Sequence, residues 1–170
     1  MAAAVEIDES NGIVETVTHG IATCYLGSAD TPQMAYGSNP VALSGNSYEK
    51  WLRVHLTDLA GSISLSEIKV SLTGALPVGA VLYYNGHTVP ATYDATKKTT
   101  FSQPATSSTR TPNSIPTSPP ATANLGIGGS LLGSLTVVGW SDYLLLQMRL
   151  TGALSSGVTG DLVLEYSETL

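Results

Sequence analysis

A single cysteine, Cys24, denies the 170-residue chain an intrachain disulfide and fits a reducing compartment or simple burial. A nucleophilic role would need a base such as His19 oriented beside it, so a small buried hydrophobe is the better reading. Charge is scarce too. Only 12% of residues are charged, seven basic against 13 acidic, about half the share usual in a globular domain. The net charge of −6 argues against a nucleic-acid or other phosphate-bearing partner. Lys97-Lys98 is the one adjacent basic pair and reads as a solvated turn. No apolar run reaches the roughly 18 residues of a membrane-spanning helix, and the opening Met1-Ala-Ala-Ala-Val5 lacks the basic start and apolar core of a signal peptide. No membrane partner is expected, and synthesis in the cytoplasm without classical secretion is.

Helical periodicity is missing as well: no 11-residue window carries an apolar stripe with caps. Period-two alternation takes its place. From 48 to 56, Leu52, Val54 and Leu56 share one face while Trp51, Arg53 and His55 share the other, the pattern of a half-buried strand. Ile68, Val70 and Leu72 alternate with Glu67, Lys69 and Ser71. Strands are also expected at 13–18, 21–26, around Met34 and Val41, at 80–84 and at 131–138. Asn85-Gly86 signals a hairpin turn returning through 87–93. The chain ends in a second expected hairpin, 143–150 with Leu144, Leu146, Met148 and Leu150 inward, then 158–166 with Leu162, Leu164 and Tyr166 on one face. Roughly eight to ten short antiparallel strands separated by turns predict an all-β fold, a β-sandwich or jelly roll. Residues 1–12 read as an acidic N-terminal arm, and 13–170 as one domain.

That domain carries an unusual insertion. Between 102 and 123, fifteen of 22 residues are Ser, Thr or Pro, with Arg110 the one charge and Ile115 the one large apolar side chain. Such composition cannot bury enough surface to offset its ordering entropy. The segment therefore reads as an extended loop that orders against a neighbouring subunit, its prolines lowering the ordering cost.

Catalytic patterns are absent. Gly-x-Ser-x-Gly does not occur, since Gly129-Ser130 is followed by two leucines. Gly126-Ile-Gly-Gly129 is not followed by Lys, so these glycines serve close backbone approach or sharp turns rather than phosphate. Trp140-Ser-Asp-Tyr143 reads as a tight entry to a strand, with Asp142 serving the turn. His19, His55 and His87 show no paired ligand spacing. Metal sites can draw such residues from separate strands, but His55 beside Trp51 and Arg53 reads as a surface strip. Glu6, Asp8 and Ser10 before Gly12 faintly resemble a calcium loop without its closing bidentate Glu. No metal, cofactor or catalytic residue is assigned. Trp51, Trp140, Tyr83 and Tyr84 could form a sugar platform if exposed, which leaves carbohydrate as a minor partner reading.

Several stretches resemble small structural proteins of tailed bacteriophages and prophages. They are Glu6-Ile-Asp-Glu-Ser-Asn-Gly12, Val14-Glu-Thr-Val-Thr-His-Gly-Ile21, Gly45-Asn-Ser-Tyr-Glu-Lys-Trp51, Pro120-Ala-Thr-Ala-Asn-Leu-Gly-Ile-Gly-Gly-Ser130 and Gly139-Trp-Ser-Asp-Tyr143. The resemblance spans most of the chain and implies a non-enzymatic virion protein. Its place would be the outer capsid surface, as a decoration (cement) protein touching the major capsid protein and copies of itself in a trimer. A neck or tail component, or a carbohydrate-binding module aiding adsorption, are the alternatives. The residues assigned to subunit contact are Glu6, Asp8 and Glu9 of the arm, Trp51 and Arg53 of the strip, and Arg110 and Ile115 of the loop.

Overall fold

A computed structural model describes residues 2–32, 37–76, 78–85, 93, 113–152 and 160–170. The expected strand around Met34, the return strand at 87–93 apart from Tyr93, the Lys97-Lys98 turn and Arg110 fall outside the described residues. Among the described residues ten strands run in chain order: β1 (Ala4–Asn11), β2 (Thr16–Thr18), β3 (Lys50–Asp58), β4 (Ser64–Thr73), β5 (Ala80–Asn85), β6 (Asn113–Ser114), β7 (Ser134–Leu135), β8 (Gly139–Trp140), β9 (Leu144–Leu150) and β10 (Asp161–Thr169). Among the described residues there is no helix. The fold is all-β.

The strands form two antiparallel sheets. The larger has the order β2-β1-β3-β9-β5-β6, with β8 also pairing β3, and the smaller has the order β10-β4-β7. Their apolar faces share one sandwich-like core. Leu52, Val54 and Leu56 of β3, with Leu82, Leu144 and Leu146, meet Leu65, Ile68, Val70 and Leu72 of β4 there. Leu162, Leu164 and Tyr166 pack against it from β10. The alternation read from 52–56, 68–72 and 162–166 is thus the alternation between this core and the outside.

One irregularity in β4 reconciles a break in that alternation. Leu65 and Ile68 are both buried although they lie three residues apart. The β10 register jumps from Glu165↔Lys69 to Ser167↔Ser66, so two β4 residues oppose one on β10, and Glu67 sits at φ 51°. This is a β-bulge with its extra residue in the left-handed region. It returns Leu65 to the inner face.

The strands expected at 21–26 and around Val41 do not form, and three larger expectations change as well. Residues 4–11 are a strand rather than an arm, paired with β3 from Ala4↔Asp58 to Ser10↔Trp51. Val5 and Ile7 reach the core while Glu6, Asp8 and Ser10 face the other way, a period-two signal partly hidden by acidic residues. The terminal hairpin does not form either. β9 pairs β3 and β5, whereas β10 pairs β4, so these consecutive strands lie in different sheets.

The third change concerns the Ser/Thr/Pro segment, whose second half belongs to the fold. Asn113–Ser114 pairs Tyr83 and Tyr84, and Ile115 is buried in the core rather than offered to a partner. The Ile115 N–H donates to the Leu82 carbonyl at 3.0 Å, and Pro116 accepts from the Leu72 N–H at 2.8 Å. Burying one such side chain contributes about 1.5–3 kcal/mol, enough to offset the ordering of roughly one to two residues. Backbone pairing on both sides of Ile115 extends that hold.

Candidate functional site

The face of β1 and β3 turned away from the core carries the main polar cluster. Cross-strand pairing sets Glu6 opposite His55, Asp8 opposite Arg53, and Ser10 opposite Trp51, where side chains of paired residues meet. The chain then turns back after β2 and brings His19 and Gly20 over β1. Asp8 Oδ2 lies 2.8 Å from His19 Nδ1 and 3.2 Å from His55 Nδ1, while Glu6 Oε1 lies 2.9 Å from His55 Nδ1 and 3.9 Å from His19 Nδ1. One ligand atom from each of the four residues fits within 4.8 Å of the others. Two of the three histidines that sequence spacing left scattered, His19 and His55, therefore converge on two carboxylates, while His87 falls outside the described residues.

Neighbours hold the site in shape. The Trp140 indole N–H donates to Asp8 Oδ2 at 2.8 Å, and the Gly20 backbone N–H donates to Asp8 Oδ1 at 3.2 Å. Trp140 also stacks on His55, ring centroids 4.4 Å apart and nearly parallel. Gly20 has φ +59°, and a Cβ there would stand 3.1 Å from Glu6 Oε2, so glycine lets the turn close onto the carboxylate. Burial alone would push the Asp8 carboxyl up, but the Trp140 and His19 hydrogen bonds and the Gly20 N–H outweigh it and hold it below the usual carboxylate value. Asp8 is an ionised, buried acceptor in a polar nest.

The remaining assigned residues that the structure describes stand outside the cluster, Arg53 and Trp51 beside it on β3. Trp51 is fully buried, packed edge-on against Tyr93 and Tyr143 at 5.3 and 5.1 Å. It is neither surface strip nor sugar platform, because the 139–143 segment and Tyr93 cover its face of the sheet. Arg53 lies over the Tyr143 and Trp140 rings at 4.6 and 5.4 Å and donates to the Ser141 carbonyl. Burial and the Glu15 carboxylate, which accepts a hydrogen bond from the Tyr143 hydroxyl, push that phenol up to about 12, with Arg53 opposing. Glu9 faces the opposite side, fully buried with Lys50 at 2.7 Å. It is an internal ion pair rather than an exposed contact.

Two further features resolve as structure. Asp142 accepts the Gly129 N–H through both oxygens at 3.0 and 2.9 Å, while a Cβ on Gly133 would stand 2.1 Å from the Ile127 carbonyl oxygen. The glycine run 126–133 is thus a turn folded around an aspartate and its own backbone. Cys24 lines a cleft of about 420 Å³ with Ile7, Ile21, Leu26, Leu52 and Leu164. Burial, then the Glu9 charge, push its thiol up to about 12, partly opposed by Lys50. His19 is turned to Asp8, so it hydrogen-bonds that carboxylate rather than the thiol.

The sequence reading missed the convergence of Glu6, Asp8, His19 and His55. The available signal was Val5 and Ile7 alternating with Glu6 and Asp8, which marks two carboxylates on one face of a strand. Neither the family models, nor the curated proteins, nor the solved structures compared with this chain match it.

Proposed function

We propose that this chain is a non-enzymatic structural protein of a tailed-phage virion, a decoration protein that sits as a trimer on the outer head surface and bridges capsid subunits. The sequence resemblance supplies the class. The observation that carries the reading is a set of exposed apolar side chains around the end of the fold where Ala3 hydrogen-bonds Glu168. There the N-terminal end of β1 lies beside the C-terminal end of β3, β8 pairs the same end of β3, and β4 begins between β10 and β7. Ile63, Val137, Val138 and Leu170 stand exposed at this end, Leu170 by 85%. Clustered exposed apolar side chains mark protein contact surfaces. Many copies on a lattice need only modest contacts each, because avidity multiplies them.

Purified particles of the phage or prophage that encodes the chain provide the test. Quantitative mass spectrometry with immunogold labelling should find the protein in hundreds of copies spread over the head. A few copies at one vertex, or rings along a tube, would transfer it to the neck or tail. Absence from particles would overturn the virion reading altogether.

A further inference from the structure

We propose that Glu6, Asp8, His19 and His55 form a binding site for one divalent transition-metal ion, with zinc the best fit. This inference stands apart from the virion reading and needs no capsid. Its first support is distance. Zinc bonds of about 2.0–2.2 Å put tetrahedral ligand atoms roughly 3.3–3.6 Å apart. The four carboxylate–imidazole separations here are 2.8, 2.9, 3.2 and 3.9 Å, which bracket that spacing. All six ligand–ligand separations, including the His–His and carboxylate–carboxylate ones, lie within 4.8 Å, so the four groups already surround one centre.

The second support is the donor set. Two imidazole nitrogens beside two carboxylate oxygens suit zinc, and also iron, cobalt or nickel. Magnesium and calcium take six or more oxygen ligands, and this cluster offers two carboxylates beside two imidazoles. Among the described residues, no Lys or Arg nitrogen makes an ion pair with Glu6 or Asp8, so histidine alone opposes the two carboxylates. A cation would supply the missing charge. Each imidazole would bind through Nδ1 and carry its remaining proton on Nε2.

The third support is preorganisation. Asp8 is 1% exposed and already held by the Trp140 and Gly20 N–H groups, the outer-sphere hydrogen bonding that orients metal-binding carboxylates. His55 is 13% exposed and stacked on Trp140. His19 is the exposed member at 57% and forms the access side. With all four ligands coming from the protein, the site matches a closed structural centre rather than a catalytic one. The ion would clasp the return after β2 onto β1 and β3, tying the sheet's short edge strand to its interior.

Titration of chelator-treated full-length protein tests the proposal. Calorimetry with Zn²⁺ should give one ion per chain and a higher melting temperature, and Co²⁺ should give the intense visible bands of four-coordinate cobalt. His19→Ala removes an exposed ligand, so it should melt like metal-free wild type yet bind Zn²⁺ at least about 100-fold more weakly, more than loss of an outer hydrogen bond costs. Trp140→Phe keeps an aromatic ring on His55 but deletes the N–H to Asp8, and it should weaken binding by about 10–100-fold. Equal Zn²⁺ affinity in wild type and His19→Ala, no uptake at one per chain, or equally tight Mg²⁺ binding would each overturn the site.

Discussion

Lys50→Ala is expected to destabilise the protein by about 3–5 kcal/mol, the cost of breaking a buried ion pair by removing one partner. Both side chains are fully buried, with Lys50 Nζ 2.7 Å from Glu9 Oε1. The ammonium also donates to the Thr31 carbonyl at 2.7 Å. Asn11 donates to both Glu9 and Asp30 at 2.9 Å, and the Gly12 N–H donates to Asp30. Removing the cation leaves a carboxylate without its counter-charge beneath the 30–31 loop and frees the end of β1. For a chain of this size the melting temperature should fall by about 6–20 °C. The double variant Glu9→Leu/Lys50→Met should recover most of the loss, because a matched apolar pair removes both desolvation costs. Urea unfolding of the three proteins decides the matter. A loss below about 1 kcal/mol in Lys50→Ala would mean that the pair behaves as a surface bridge.

Trp51→Ala should cost about 3–5 kcal/mol as a large-to-small change at a filled site. The ring is fully buried and meets Tyr93 and Tyr143 edge-on. Its loss would open a cavity under the 139–143 segment and loosen the cover over the outer face of β3. Trp51→Phe should retain an edge-to-face contact and lose less. A surface tryptophan would behave differently, with a change within about 0.5 kcal/mol on substitution. Equilibrium unfolding of the two variants separates a packing role from a contact or sugar-binding one.

These two residues also mark where sequence reading stops. Alternation within a strand was legible. Leu52, Val54 and Leu56 point into the core as their spacing requires, and Trp51, Arg53 and His55 point the other way. What covers that second face was not legible, because the cover arrives from 139–143 and from Tyr93, far along the chain. Lys50 lies on the inner face by the same period, yet only the β1–β3 register, which sets Glu9 opposite Leu52 and so diagonal to Lys50, brings together residues 41 apart.

The four-residue polar cluster fails sequence reading for the same reason. Glu6 and Asp8 share a face by local periodicity, but His55 reaches them through strand pairing and His19 through a turn that depends on Gly20. Metal-ligand spacing in sequence identifies sites built on one local element. A site assembled across paired strands has no such spacing. The Ser/Thr/Pro segment misleads differently. Composition judged 102–123 as a unit, whereas one isoleucine and its flanking backbone hydrogen bonds suffice to seat residues 113–116 in the fold.

Binding to expanded capsids that lack the protein tests the virion assignment most directly. Adding purified chain should saturate a fixed number of sites per capsid and raise the temperature at which the particle releases its DNA. A folded Val137→Asp/Val138→Asp variant should bind more weakly, since it places charge in the exposed apolar end. Failure of the wild-type protein to bind, or equal binding by the variant, would contradict the account.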